Sequence, residues 1–385
     1  MRTTTFVAPA LAAALAATAL GGPPAPASPA APATVEQSCA ERTLGELSVA
    51  QRVGQLFVAG VDADDPTSSQ LARITDYHLG GVILTGGSDA GVQTTRQVSD
   101  AARARASTSN GIGLWVSADQ EGGYVQHLEG PGFATIPTAL EQGGLDQDTL
   151  RSRARTWGGQ LREAGVNLNL APVLDTVPEE LGRGNKPIGY YYRQYGYTPE
   201  AVAGAATAFQ RGMSAAGVQP TGKHFPGLGR VRENTDTSGE VLDEVTTRQD
   251  PYLHPFQVAV DNGIPLIMAS TARYTLIDPA NLAAFSPTVL RGMLRDDLGF
   301  TGVIISDDLG NAAAVQDIPV GERATRFLGA GGTVVLTVDS ATVPRMFHEV
   351  ILRARADPEF RAVVDEAALA VLRAKDRIGL LPHCP

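Results

Sequence analysis

Lys223-His224-Phe225-Pro226-Gly227 closes an apolar-flanked stretch, and Glu233, Asn234 and Asp236 follow within a Gly-rich loop. A strand end that feeds such a loop fixes two polar groups and lets the loop carry a third over them. An ammonium and an imidazole are suited to hold hydroxyl oxygens, and a loop carboxyl is suited to move a proton. Lysine is scarce: Lys186 and Lys375 are the only others, so arginine supplies nearly all of the 31 basic residues. Lys223 in so Arg-rich a chain reads as a requirement for a compact ammonium. Other apolar runs end in the same way. Asp119-Gln120-Glu121-Gly122-Gly123 follows one, Pro172 and Asp175 close another before a long loop through Arg193, and Ser306-Asp307-Asp308 closes a third. A lone aspartate at a strand end is commonly a helix cap. Carboxylates, Arg, Lys and His at the same end of successive strands instead describe one polar pocket. Two carboxyl groups facing a polar pocket are the equipment of glycoside hydrolysis, one as nucleophile, with another group as acid. No Gly-x-Ser-x-Gly elbow offers an acyl-transfer serine. His127 and His224, the histidines near the pocket, lack paired metal-ligand spacing, so neither metal nor cofactor is expected.

Holding these residues together takes a repeating frame. Helical stretches end in Gly and short apolar runs follow, as in Ala164-Gly165 before Val166–Leu170 and Gly331-Gly332 before Thr333–Leu336. Gly is the usual residue just past a helix end, and continuous apolar runs suit parallel strands buried on both faces. Eight candidate strands lie near 55–61, 81–85, 113–118, 167–173, 218–223, 265–270, 302–306 and 332–338. Residues 287–298 place Val289, Leu290, Met293, Leu294 and Leu298 on one helical stripe. Eight strand–helix repeats predict an α/β fold, a (β/α)8 TIM-type barrel, as a single catalytic domain over residues 44–382. A doubly wound open sheet is the alternative, but no dinucleotide Gly fingerprint follows the first strand.

Residues 1–27 read as a signal peptide: Arg2, an Ala-rich apolar run from Phe6 to Leu20, then small residues such as Ala25-Pro26-Ala27. The apolar run is too short for a convincing membrane span. Residues 28–43 form a Pro/Ala-rich leader. A secreted, extracytoplasmic protein is therefore expected, and Cys39 and Cys384, one near each end of the mature chain, are expected to form a disulfide. The formal charge is −10 and no Lys/Arg cluster is present, which excludes nucleic acid as a partner. The expected partner is a carbohydrate, and the expected state is a monomer.

Four motifs occur in order: Asp119-Gln120-Glu121-Gly122-Gly123, Asn169-Leu170-Ala171-Pro172-Val173-Leu174-Asp175, Lys223-His224-Phe225-Pro226-Gly227 and Ser306-Asp307-Asp308-Leu309. On them the chain resembles family 3 glycoside hydrolases over roughly residues 44–380, most closely the single-domain bacterial β-N-acetylglucosaminidases (β-hexosaminidases) of cell-wall turnover. The resemblance implies a retaining hydrolase releasing terminal N-acetylhexosamine. It implies Asp307 as nucleophile, with Asp119, Arg193, Lys223 and His224 as sugar ligands and His127 beside them. Asp308 is expected to be a structural cap. One departure stands out. The family's Asp-Ser-His, whose histidine is the acid/base, is Asn234-Thr235-Asp236 here. Asp236 is then the candidate acid/base, provided that burial or a neighbouring carboxylate keeps it protonated, and Glu233 is the second candidate. Losing the histidine also argues for water rather than phosphate as acceptor. The alternative is a sugar-binding protein with a degenerate site. The positions of Tyr124 and His127 often hold Arg in the family, and a histidine common after the sixth strand is Thr271 here.

Overall fold

A computed structural model describes residues 37–106 and 111–381, together with positions 5, 6, 8, 13 and 22. The rest of the expected signal peptide and leader, and Cys384, lie outside the described residues. Eight parallel strands close into a barrel. They are β1 Phe57–Asp62, β2 Gly81–Thr85, β3 Trp115–Ala118, β4 Leu168–Asn169, β5 Gln219–Phe225, β6 Leu266–Ala269, β7 Val303–Asp308 and β8 Val334–Thr337. β1 pairs with both β2 and β8, so no sheet edge is left open. The barrel is the predicted TIM-type fold, and each predicted strand is present. Gly331, at φ 112°, ends the helix Val320–Ala330 in the left-handed conformation that a side chain would strain. The stripe at 287–298 is a helix, Thr288–Asp297, wound with π-type bonding, and it buries Val289, Leu290, Met293 and Leu294.

Strand β4 is shorter than the predicted 167–173. Pro172 has no N–H to give the ladder, and pairing resumes only as a single bridge between Val173 and Lys223. Two further irregularities fall where the chemistry is. The β5–β6 register shifts between Lys223 and Phe225, and the β7–β8 register shifts between Ile305 and Asp308. Successive residues of a regular strand face opposite sides. A bulge re-aims one of them, so Lys223 and His224, and likewise Asp307 and Asp308, line one cavity together.

The opposite end of the barrel is plugged. The C-terminal helix Pro358–Asp376 places Lys375 beneath the strands, where its Nζ donates to Gln55 Oε1 at 2.7 Å and lies 5.3 Å from the Trp115 ring centre. Trp115 Nε1 donates to Gln219 Oε1 at 2.9 Å, and Gln219 Nε2 donates to the Ala374 carbonyl at 2.8 Å. Lys375, Trp115 and Gln219 thus each find a hydrogen-bond partner, as burial requires. Burial pushes the Lys375 ammonium down to about 7. No described helix is long and apolar enough to cross a membrane.

Candidate active site

The cavity lies at the C-terminal ends of the strands and encloses about 480 Å³. Asp119, His127, Arg193, Lys223, His224, Asp236 and Asp307, drawn from sequence positions far apart, all line it. On one wall Lys223, 2 % exposed, pairs with Asp119 and with Glu121 Oε1 at 2.6 Å. Arg193 grips Glu121 with two bonds, Nε to Oε2 at 2.9 Å and Nη2 to Oε1 at 2.8 Å, and its third nitrogen donates to the Pro187 carbonyl at 2.8 Å. Burial pushes the Glu121 carboxyl up, but Arg193 and Lys223 beside it prevail and hold it well below the usual carboxylate range. Burial likewise pulls the Lys223 ammonium down, and Asp119 and Glu121 more than reverse this. The two carboxylates and two cations balance, so the wall is polar yet locally neutral.

His224 is held by Asp175. Its Nδ1 lies 2.7 Å from Asp175 Oδ2, and the other carboxylate oxygen accepts from the His224 and Leu228 backbone N–H groups at 3.1 and 2.8 Å. Asp175 is fully buried and accepts only, so Nδ1 carries the proton and Nε2 remains for the cavity. Neither Glu121 nor Asp175 was assigned a role from sequence, although both sit inside the quoted motifs. The available signal was excess charge: buried Lys and Arg at strand ends demand buried carboxylates.

Asp307 stands half-buried at the bulged end of β7. Burial pushes its carboxyl up to about 6; His224 works against this and Asp236 adds to it. Asp308 has the predicted capping role. Its Oδ1 accepts from the Gly310 and Val338 N–H groups at 2.8 and 3.0 Å, and Oδ2 from Asn311 at 3.1 Å.

The altered loop is pinned at several points. Asn185 Nδ2 donates to the Leu228 and Val231 carbonyls, both at 2.7 Å, and Arg230 pairs with Asp250 at 2.7 Å. Thr235 is buried, and the Thr235 and Asp236 carbonyls accept from Ala314 and Ala313 at 3.1 and 3.3 Å. These last bonds tie the loop to the turn after β7, so Asp236 meets the Asp307 side of the cavity. Its own side chain is exposed. Glu233 pairs with Lys186 at 2.7 Å and does not line the cavity. Thr271 is buried and also does not line it. Tyr124 and Tyr191 do line it and received no role from sequence, although the run Tyr190-Tyr191-Tyr192 is conspicuous. Among the described residues no group of three His, Cys, Asp or Glu side chains is placed to hold a metal ion.

A barrel whose strand ends present this set of residues can bind a sugar and bring a carboxylate to its anomeric carbon. The model of the glycosyl hydrolase family 3 N-terminal domain matches residues 48–374. The chain belongs to glycosyl hydrolase family 3. It is a glycosidase, a hydrolase acting on O-glycosyl bonds. Among family 3 relatives, a beta-hexosaminidase of Stenotrophomonas maltophilia is 32% identical over 306 residues, covering 77% of this chain and 87% of its own. Beta-hexosaminidase LpqI of Mycobacterium tuberculosis is 31% identical over 362 residues, covering 91% and 88%. The crystal structure of a beta-N-acetylhexosaminidase from Beutenbergia cavernae superposes with a TM-score of 0.84 at 47% identity, covering 86% of this chain and 99% of that one.

Proposed function

We propose that the protein is a secreted, retaining β-N-acetylhexosaminidase that removes terminal non-reducing N-acetylhexosamine, with cell-wall fragments as its source of substrate. The observation that carries the reading is the placement of Asp307. It sits on a bulge, faces a neutralised polar wall, and has Asp236 as its carboxylate neighbour. In the proposed reaction, Asp119, Lys223, His224, Arg193 and His127 hold the terminal sugar. An ionised Asp307 oxygen attacks the anomeric carbon as the bond to the aglycone oxygen breaks, and Asp236 gives that oxygen its proton. Asp236 then takes a proton from water, which attacks the anomeric carbon and frees Asp307. The relatives named beta-hexosaminidase support the sugar class. The acidic side of the cavity, with Asp236, Asp307 and Asp308, disfavours phosphate in place of water.

Export is supported by the composition of residues 1–27 and by the arrangement of the chain ends. Cys39 packs with Leu372 and Leu381 in one small apolar cluster, which brings the start of the domain next to the approach to Cys384. A Cys39–Cys384 disulfide would close that junction.

The test is turnover of aryl β-N-acetylglucosaminide against aryl β-glucoside by the wild type, Asp307→Ala and Asp236→Asn. Asp307→Ala is expected to lose at least about 10³-fold. Asp236→Asn is expected to lose far more on poor leaving groups than on activated aryl groups, with azide restoring part of the latter. Retention of most activity by Asp307→Ala refutes the nucleophile, and a uniform small loss in Asp236→Asn refutes the acid/base.

A further inference from the structure

We propose that Tyr124 and Tyr191 form an aromatic subsite for the aglycone, and that this aglycone is itself a pyranose sugar. The inference rests on the hydrolytic reading above and specifies what lies beyond the scissile bond. Among the described residues, Tyr124, Tyr190 and Tyr191 are large apolar side chains that solvent reaches, Tyr124 to 69%. Other exposed apolar side chains, such as Val245, Leu276 and Leu352, are not part of the cavity wall; isolated exposures of that kind need no explanation. The tyrosines instead stand together. The Tyr124 ring centre lies 6.2 Å from Tyr191 and 6.5 Å from Tyr192, and Tyr190 meets Tyr191 edge-on at 5.0 Å.

Two separate loops build this cluster, and both are held. Tyr124 rides on the small hairpin that follows β3, where Gly123 N–H donates to the Ile136 carbonyl at 2.9 Å. Tyr191 ends a short 3-10 turn whose start is fixed by Asn185 Oδ1, which accepts from Ile188 and Gly189 N–H at 3.0 and 2.8 Å. Tyr192 next to it adopts φ 54°, a left-handed conformation unfavourable for any residue with a side chain. Its carbonyl accepts from Leu140 N–H at 3.2 Å. Arg183 lies over the Tyr190 ring at 4.4 Å and the Tyr192 ring at 5.6 Å, bracing the outer side. Backbone strain and a stacked guanidinium thus hold rings in solvent where the core gains nothing from them. Strain of this kind clusters at ligand sites.

The occupant follows from continuity. Tyr124 and Tyr191 line the same cavity as Asp236 and Asp307. The wall of paired charges is suited to hydroxyls, whereas the tyrosines offer flat faces with hydroxyl tips. A pyranose presents the matching surface, an apolar C–H face bordered by hydroxyls, and stacks on an aromatic face. The terminal sugar belongs at the charged wall, and the next sugar belongs on the tyrosines.

The test compares two substrates, the β-1,4-linked disaccharide of N-acetylglucosamine and β-N-acetylglucosaminyl fluoride, whose leaving group has no ring to stack. In the Tyr124→Ala, Tyr191→Ala double variant, kcat/KM on the disaccharide is expected to fall about tenfold, the size of one or two aromatic stacking contacts. On the fluoride it is expected to stay within about twofold, and the Tyr→Phe variants are expected to keep most of the disaccharide rate. An unchanged disaccharide rate, or an equal fall on the fluoride, overturns the subsite. A wild type that turns over neither substrate defeats the hydrolytic reading instead. Calorimetric binding then decides the subsite: a wild-type preference for disaccharide over N-acetylglucosamine that the Ala variants lose supports it, and no preference refutes it.

Discussion

Replacing Asp307 by Asn should stabilise the protein while it abolishes turnover. The Asp307 carboxyl is pushed up to about 6 from a reference value of 3.8, chiefly by burial and further by Asp236. A raised carboxyl means that the folded chain holds its proton more tightly than the unfolded chain does. Between pH 3.8 and about 6 the folded state therefore binds more protons, and stability falls as pH rises through that window. Above it the full cost of burying the charge is present. At about 1.4 kcal/mol per unit, the shift amounts to at most on the order of 3 kcal/mol, less to the extent that solvent in the cavity screens the charge. Asparagine has the same shape, and its side-chain oxygen can keep the 2.8 Å bond from the Asp308 N–H. Equilibrium urea unfolding of wild type and Asp307→Asn at pH 4, 5, 6 and 7 is the assay. The two should be near-equal at pH 4 and diverge up to pH 6, with the variant about 1–3 kcal/mol more stable at pH 7. The same ionisation should appear in wild-type kcat/KM as an acid limb near pH 6, because only the carboxylate attacks. A variant less stable than wild type at pH 7, or a pH-independent difference, would refute the electrostatic account.

Lys375→Met should remove a different pH dependence. The ammonium is lowered to about 7 by burial, so from pH 7 to 10 the unfolded chain holds a proton that the folded chain has shed. Wild-type stability should thus rise over that range, and urea unfolding at pH 7 and 9 should show the rise shrinking in the variant. Glu121→Gln leaves buried Lys223 and Arg193 without their shared carboxylate. It should cost about 3–5 kcal/mol in urea unfolding and lower kcat/KM by more than about 100-fold, with Arg193 no longer gripped at two points. Intact mass of exported, non-reduced protein after alkylation should show no alkylated thiol if Cys39 and Cys384 are paired; two alkylated thiols would refute the disulfide.

The barrel was legible because its signal is repetitive. Apolar runs after Gly-terminated helices mark buried parallel strands, and one barrel end collects whatever polar residues close each run. That logic led from sequence to Asp119, Lys223, His224 and Asp307 without any contact being known. It could not see the bulges at His224 and Asp307, because a register shift depends on how two distant strands pair. It overran β4, although Pro172 was in view as the residue that stops the ladder. It ranked Asp236 ahead of Glu233 only on the motif position, with no view of where either side chain would lie. Both are loop carboxylates a few residues apart, and only the pairing of Glu233 with Lys186 and the bonds from Ala313 and Ala314 separate them. The tyrosines were missed for the opposite reason: a loop tyrosine is usually packed against a core, and only folding shows that these are not.

The uneven charge of the cavity gives the proposed chemistry its physical basis. Arg193 and Lys223 face Asp119 and Glu121, so that wall offers strong hydrogen-bonding groups with little net field. The opposite side carries Asp307, Asp308 and Asp236, and there His224 and the Asp308 N–H favour the charged form of Asp307. Glycoside cleavage develops positive charge on the sugar ring as the bond to the aglycone breaks. An ionised Asp307 stabilises that charge in the transition state more than in the neutral ground state, which is the condition for catalysis rather than tight binding. Burial raises the carboxyl of Asp307, and Asp236 and Asp308 add to it. With Asp236 lining the same cavity as Asp307, the proposed proton donor and the proposed nucleophile are placed to act on one glycosidic bond.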